Sequence, residues 1–225
     1  MTGWFVYVVL NPAGIAYTGI ATDVARRVNS HNAGTGAKFT RGRGPWWIAH
    51  IEGPLPQGDA LRRERQIKRD SAFKAGLKAT QAALAAAPFH TGPDRLPAAA
   101  GAYILLVELA EETAVRLPRR APVILAAGCY LYCGSARGPG GIRARVARHM
   151  RRDKSVRWHI DQLTAAGIVR GAWTFPGGDE CALVAGLAAL PVPIPGFGSS
   201  DCPTCRSHLL AWPTGARLVL DTAGP

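Results

Sequence analysis

The chain has 225 residues, enough for one large domain or two compact units of roughly 100 residues each. Apolar residues make up 48% and charged residues 19%, which excludes global disorder, and no apolar run reaches the roughly 18 residues needed to span a bilayer. The net charge is +12, from 27 basic and 15 acidic residues, and 22 of the basic residues are Arg. GC-rich codon usage explains Arg over Lys but not the excess of base over acid. A surface of this sign favours polyanionic partners such as nucleic acid. The start, Met1 to Leu10, has no basic region ahead of its apolar stretch, so a cytoplasmic protein is the expectation. Five cysteines without an export signal argue against a disulfide scaffold.

Trp4 to Leu10 reads as a buried strand, Asn11 to Gly14 as a turn, and Ile15 to Ile20 as the hairpin partner. Thr22 or Asp23 caps a helix running to about Asn32. A Gly-rich basic loop, Gly34 to Gly44, carries Lys38, Arg41 and Arg43. Trp46 to Glu52 is a third strand, followed by helices near Asp59–Arg69 and Phe73–Ala87. Pro88 to Ala100, with three Pro and one Gly, reads as a linker. Beyond it, Ala102–Leu109 and Gly128–Gly134 read as strands, Gly141–Arg151 as a basic helix, Val169–Phe175 as a strand and Asp179–Leu190 as a helix. Cys129 and Cys133 fall in the second of these strands and read as buried thiols. The Pro-, Gly- and Cys-rich tail from Pro191 holds a strand near Leu209–Trp212.

The pattern repeats. Tyr17-Thr18-Gly19 precedes a helix carrying Arg27-Val28-x-x-His31, and Tyr132-Cys133-Gly134 precedes one carrying Arg145-Val146-x-x-His149. Each half opens on an apolar strand with a tyrosine, Tyr7 or Tyr103. A period near 100 residues points to duplication of a whole domain. The division predicted is residues 1–87, a linker at 88–100, and residues 101–225.

Arg27 and His31 are four apart and share a helix face. Tyr7 and Tyr17 sit on paired strands, and Glu64 lies within the basic run Arg62-Arg63-Glu64-Arg65. One carboxylate for a hard divalent ion, an Arg for charge growing on phosphorus, and Tyr or His to handle a proton make a phosphodiester-hydrolysis set. Singly, each has an ordinary reading. Arg27 and His31 suit a solvated helix face, the tyrosines suit a core, and Glu64 with Lys68 suits a surface ion pair.

In this order, the residues resemble the GIY-YIG nuclease superfamily, most closely its small YhbQ-like branch. The resemblance covers residues 4–80 and rests on Val6-Tyr7-Val8-Val9, Tyr17-Thr18-Gly19-Ile20, Arg26-Arg27-Val28-Asn29-Ser30-His31-Asn32, the Gly34–Lys38 loop and Ala60-Leu61-Arg62-Arg63-Glu64. The family's Gly-Ile is here Phe5-Val6, and its Tyr-Ile-Gly is Tyr-Thr-Gly. The resemblance implies a mixed α/β (α+β) domain, with a three-stranded antiparallel sheet flanked by helices. It implies Tyr7 as general base or positioner of the attacking water, Arg27 on the scissile phosphate, and Glu64 as the protein ligand of Mg²⁺ or Mn²⁺. Tyr17 and His31 would assist, and Lys38, Arg41, Arg43 and Lys68 would hold the nucleic-acid backbone.

Residues 101–212 resemble a family of domains found joined to endonuclease III-like proteins, itself similar to a distant GIY-YIG relative. The matching stretches include Gly128–Ala136, Arg143–His149, Trp158-His159-Ile160-Asp161, Asp179-Glu180-Cys181 and Gly196–Cys202. By position Tyr103, Tyr132, Arg145, His149 and Glu180 mirror the first set, so a second mainly antiparallel domain flanked by helices is expected. Cys202-x-x-Cys205 suits zinc, with His208 and either Cys181 or His159 as further ligands; unmetallated buried thiols fit equally well. The leading expectation is a divalent-metal-dependent endonuclease acting on DNA, branched or damaged duplexes among its substrates, in repair or recombination near the nucleoid. The rival is a non-catalytic nucleic-acid-binding protein with a structural or zinc-stabilised second domain.

Overall fold

A computed structural model describes residues 3–188, 190–200 and 202–212. Asp201, part of one matching stretch, and tail residues 213–225 lie outside the described residues. The chain forms two compact units, one running to Ala83 and one from Leu84 to Trp212. No described helix is long and apolar enough to cross a membrane.

The first unit contains β1 (Trp4–Leu10), β2 (Ala16–Ala21), α1 (Val24–Asn32), β3 (Trp47–Leu55) and α2 (Gln57–Arg69); α3 (Ser71–Ala86) runs across the division at Ala83. The sheet order is β2-β1-β3, antiparallel throughout. The hairpin turn closes because Gly14 takes φ +68°, and the Asn11 side chain accepts from the Ile15 N–H at 2.8 Å. The same side chain donates to the Arg43 carbonyl at 2.7 Å, tying the basic loop to the hairpin. Asp23, not Thr22, caps α1, accepting from the Arg26 N–H at 2.9 Å. Val24 and Val28 then pack on Tyr7, Val9, Trp46 and Ile48, which sets one face of α1 against the sheet.

The second unit contains β4 (Phe89–His90), β5 (Gly101–Leu109), β6 (Thr113–Val115), β7 (Val123–Leu125), β8 (Gly128–Ala136), α4 (Gly141–Met150), α5 (His159–Ala166), β9 (Ile168–Pro176), α6 (Glu180–Gly186) and β10 (Leu209–Trp212). Its sheet runs β10-β8-β5-β9-β4, again antiparallel, and β6 with β7 forms a separate hairpin. The three central strands repeat the first unit's arrangement. Tyr7 lies between Gly19 and Ile51, and Tyr103 lies between Gly134 and Thr174.

Residues 88–100 are not a free tether. Phe89 and His90 pair with Trp173 and Ala172, and Leu96 is fully buried in the second core. The carbonyls of Ala99 and Pro97 accept the Ile142 and Arg143 N–H groups, at 3.0 and 2.9 Å, at the start of α4. Position 141 must be glycine there, since a Cβ would lie 2.1 Å from the Ala98 carbonyl oxygen. Proline and glycine in this stretch therefore reflect an extended segment that caps a helix, not flexibility. β4, the β6–β7 hairpin and α5 escape the sequence reading because each is short or weakly patterned.

Leu96→Ala should destabilise the second unit by about 2–5 kcal/mol, the range for truncating a buried leucine. Urea denaturation followed by tryptophan fluorescence measures this, and an unchanged midpoint would return residues 88–100 to a tether.

Candidate active sites

Tyr7 stands on the central strand β1 with no exposed surface. Its ring leans over Gly19, whose Cβ, if present, would fall 2.7 Å from the Tyr7 oxygen. The glycine of the Tyr-Thr-Gly triplet is thus a gap through which the hydroxyl reaches α1. There it meets His31 Nε2 at 2.8 Å. Thr40 Oγ1 donates to the Ala37 carbonyl at 2.8 Å and lies 2.7 Å from His31 Nδ1, which also accepts from the Ala37 N–H at 3.4 Å. Gly36 lets the loop pass over the ring, because a Cβ there would lie 2.3 Å from His31 Nδ1.

Burial pushes the Tyr7 phenol up to about 12, only partly opposed by a hydrogen bond from Arg27. Burial, then the Arg27 charge, hold His31 down at about 4. Near neutrality both groups are uncharged, and Tyr7 offers oxygen lone pairs rather than a phenolate. This favours the positioning role over the general base. His31 is buried, not solvated as its helical spacing alone suggests.

The other expected residues converge here. Tyr17 sits edge-on to His31, with ring centres 5.1 Å apart, and 6.4 Å from Tyr7. Arg27 has no carboxylate partner among the described residues, and Glu64 is close enough for its charge to act on Tyr7. α2 brings Glu64 in by packing on β1 and β2. The carboxylate is 15% exposed and ion-paired with Lys68 at 2.8 Å. A single hard oxygen donor fits a divalent ion that keeps most of its waters.

The basic loop divides. Lys38 and Arg41 are exposed. Arg43, also exposed, lies 4.4 Å over the Phe39 ring and donates to the Phe39 carbonyl, so it shapes the loop. Lys68 faces Glu64 rather than solvent alone. Phe39, 45% exposed and stacked on Tyr17, offers a ring the sequence reading missed.

The second unit holds the same arrangement. Tyr103 crosses Gly134, where a Cβ would lie 2.5 Å from its oxygen, and meets His149 Nε2 at 2.9 Å. Behind His149 stands Asp161 in place of a threonine, with Oδ1 at 3.5 Å from Nδ1. Asp161 is fully buried and accepts from Arg148 at 2.8 and 3.1 Å and from the Arg157 and Trp158 N–H groups. Burial alone would raise its carboxyl, but bonds from His149, Arg148 and the backbone hold it far below the carboxylate range. Burial pushes Tyr103 and Tyr132 up and His149 down.

A cavity of about 340 Å³ is lined by Tyr103, Tyr132, Arg145, His149, Trp158 and Glu180 among others. The Arg145 guanidinium lies 4.1 Å over the Trp158 ring and has no carboxylate partner among the described residues. Glu180 Oε2 is buried without a hydrogen bond; the Arg137 guanidinium is 4.0 Å away. All five positions expected by analogy therefore meet at one cavity. On sequence, Trp158, His159 and Asp161 read either as lining a site or as anchoring a helix; the structure has Asp161 buried in the first turn of α5, beside His149.

The structure also gathers Cys181, Cys202, Cys205 and His208. His159, the other ligand considered, instead accepts the Gly198 N–H at 3.1 Å. Of the remaining thiols, Cys133 is buried as expected and Cys129 is half-buried.

Residues 3–77 match the family of the GIY-YIG catalytic domain, and residues 102–223 match the domain of unknown function DUF123. A UPF0213 protein of Halobacterium salinarum is 52% identical over 64 residues, 28% of this chain and 83% of that one. A UPF0213 protein of Aeromonas hydrophila is 43% identical over 75 residues, 33% of this chain and 55% of that one. A UPF0213 protein of Bacillus halodurans, solved by solution NMR, is 38% identical and aligns over 32% of this chain and 78% of that one, with a TM-score of 0.22.

His31 generates a pH signature. Its folded value of about 4 lies below the ordinary 6.5, so below 6.5 the unfolded chain binds the extra proton first. Stability of the first unit should decline as pH falls from about 6.5 through about 4. His31→Gln should flatten that decline in urea midpoints measured across the window; an equally steep decline would remove His31 as its source. Gly19→Ala should displace the Tyr7 hydroxyl and open the ring to water, read by NMR as an upward move of the His31 titration.

Proposed function

We propose, for a chain that belongs to the DUF123 family over its second half and carries a GIY-YIG catalytic domain over its first, that it is an endonuclease hydrolysing phosphodiester bonds in DNA. The observation that carries this reading is the convergence of Tyr17, Arg27, His31 and Glu64 around Tyr7. Glu64 would hold a divalent cation, Mg²⁺ or Mn²⁺, which supplies Lewis acidity and a more acidic bound water when present. Tyr7, hydrogen-bonded to His31, positions the attacking water. Arg27, unpaired by any described carboxylate, neutralises charge growing on the phosphoryl oxygens. Tyr17 packs beside both and holds the histidine edge in place.

Lys38 and Arg41 supply exposed charge for the backbone. Branched or damaged DNA, and a place in repair or recombination, suit a protein with two basic halves. We further infer that the second cavity takes a phosphodiester in the same way, with Arg145 in the place of Arg27 and Glu180 in that of Glu64.

One observation favours the rival reading, binding without turnover: Glu64 is engaged by Lys68. Cleavage of labelled duplex, single-stranded, flapped and branched DNA, with and without Mg²⁺ or Mn²⁺, separates the two. Arg27→Ala should slow cleavage by about 10²–10³-fold, the cost of losing one transition-state donor. Glu64→Ala should abolish it while binding stays intact or tightens. Binding without cleavage on every substrate would leave the rival standing. In the Arg27→Ala/Glu64→Ala background, any residual metal-dependent cleavage should vanish with Arg145→Ala, and no residual cleavage would make the second cavity a binding site only.

A further inference from the structure

We propose that Cys181, Cys202, Cys205 and His208 form a closed structural zinc site in the second unit. The proposal stands apart from the nuclease reading, because it needs neither cavity to cleave anything.

The three sulfurs and the imidazole nitrogen all lie within 4.8 Å of one another, and Cys181 Sγ and Cys202 Sγ are 3.5 Å apart. Tetrahedral zinc with bonds near 2.3 Å places its sulfur ligands about 3.8 Å apart. Closing this set on an ion therefore takes movements of about 1 Å, within reach of side-chain rotation.

Each ligand is fixed by structure that does not depend on the ion. Cys181 sits in the first turn of α6, where Asp179 accepts its N–H at 2.9 Å and that of Ala182 at 3.0 Å. Cys202 and Cys205 form a tight knuckle in which the Cys205 N–H donates to Cys202 Sγ at 3.2 Å. An amide aimed at sulfur is what steadies a metal thiolate. His208 is held by its backbone, donating to the Phe197 carbonyl at 2.8 Å and accepting from the Cys133 N–H at 3.0 Å.

The independent observation is His208 Nε2. The residue is 5% exposed, and this nitrogen has no hydrogen-bond partner. A buried imidazole that clusters with three thiols and keeps a nitrogen unsatisfied is a ligand more than a packing choice. The donor set selects the metal: three soft sulfurs and one imidazole favour zinc over magnesium or calcium. Four protein ligands leave no open position, so the role is structural.

The site has a place in the fold. Cys181 follows Glu180, and His208 immediately precedes β10 and lines the same cavity as Glu180. Zinc would clamp the start of α6 to the 202–208 segment and so hold one wall of that cavity. β10 in turn completes the sheet along β8. The sequence showed the C-x-x-C pair and His208; only the fold decides that the fourth ligand is Cys181 rather than His159.

Metal analysis of the full-length protein, purified under reducing conditions without added metal, tests this. About one zinc per chain is expected, falling to less than about a tenth in Cys205→Ser and staying near one in Cys129→Ser, whose thiol lies off the cluster. Because Cys205→Ser could misfold for other reasons, the wild-type protein is also stripped with a chelator and refilled with Co²⁺. Thiolate-to-cobalt charge transfer and the intense visible bands of tetrahedral cobalt are expected. Absence of zinc together with failure to take up Co²⁺ would overturn the proposal. So would a Cys181–Cys202 disulfide found by mass spectrometry in the reduced preparation, or zinc content unaffected by Cys205→Ser.

Discussion

Both units depend on one contact: a buried tyrosine hydroxyl reaching across a glycine to a helix histidine. The Tyr7–His31 and Tyr103–His149 bonds, 2.8 and 2.9 Å, each join a central strand to the first helix packed on it. An unsatisfied phenol at these depths would cost about 1–3 kcal/mol, so strand and helix are held in fixed register by the need to avoid it. The flanking glycine is equally necessary, since any side chain would occupy the hydroxyl's place. Arg27 and Arg145, one turn before the histidines, inherit their positions from that register.

The two units differ behind the histidine. The first sets Thr40 2.7 Å from Nδ1, on a loop that folds back over α1 with the help of Gly36. The second sets Asp161 there at 3.5 Å, from a separate helix, where four N–H donors hold the carboxylate in the core.

Much of this was legible in sequence because it is local. The apolar run at Trp4–Leu10, the Asn-Pro-Ala-Gly turn, the Asp23 cap and the four-residue spacing of Arg27 and His31 each follow from short-range rules. The repeat points to Tyr132, Arg145, His149 and Glu180 as one set. What the sequence hid is long-range or compositional. Thr40 and Asp161 act through partners 9 and 12 positions from them along the chain, and nothing in their neighbourhood marks them. The stretch at 88–100 has the composition of a linker, yet its carbonyls cap α4 and Leu96 fills a core. Lys68 belongs to a basic run in sequence and to Glu64 in space.

The caps on α1 and α4 bear on how this architecture meets an anion. Helix amino ends commonly cradle phosphate with their free amides and dipole. Here Asp23 occupies one such end, and the carbonyls of Pro97 and Ala99 occupy the other. On the proposed reading, the phosphate would therefore meet side chains in place of main chain, the guanidinium groups of Arg27 and Arg145 partway along each helix. Main-chain cradles change only when a backbone is rebuilt, whereas a guanidinium can be exchanged by a single codon. A fold organised in this way would gain, retune or lose its grip on a phosphate in either half while its scaffold stays intact.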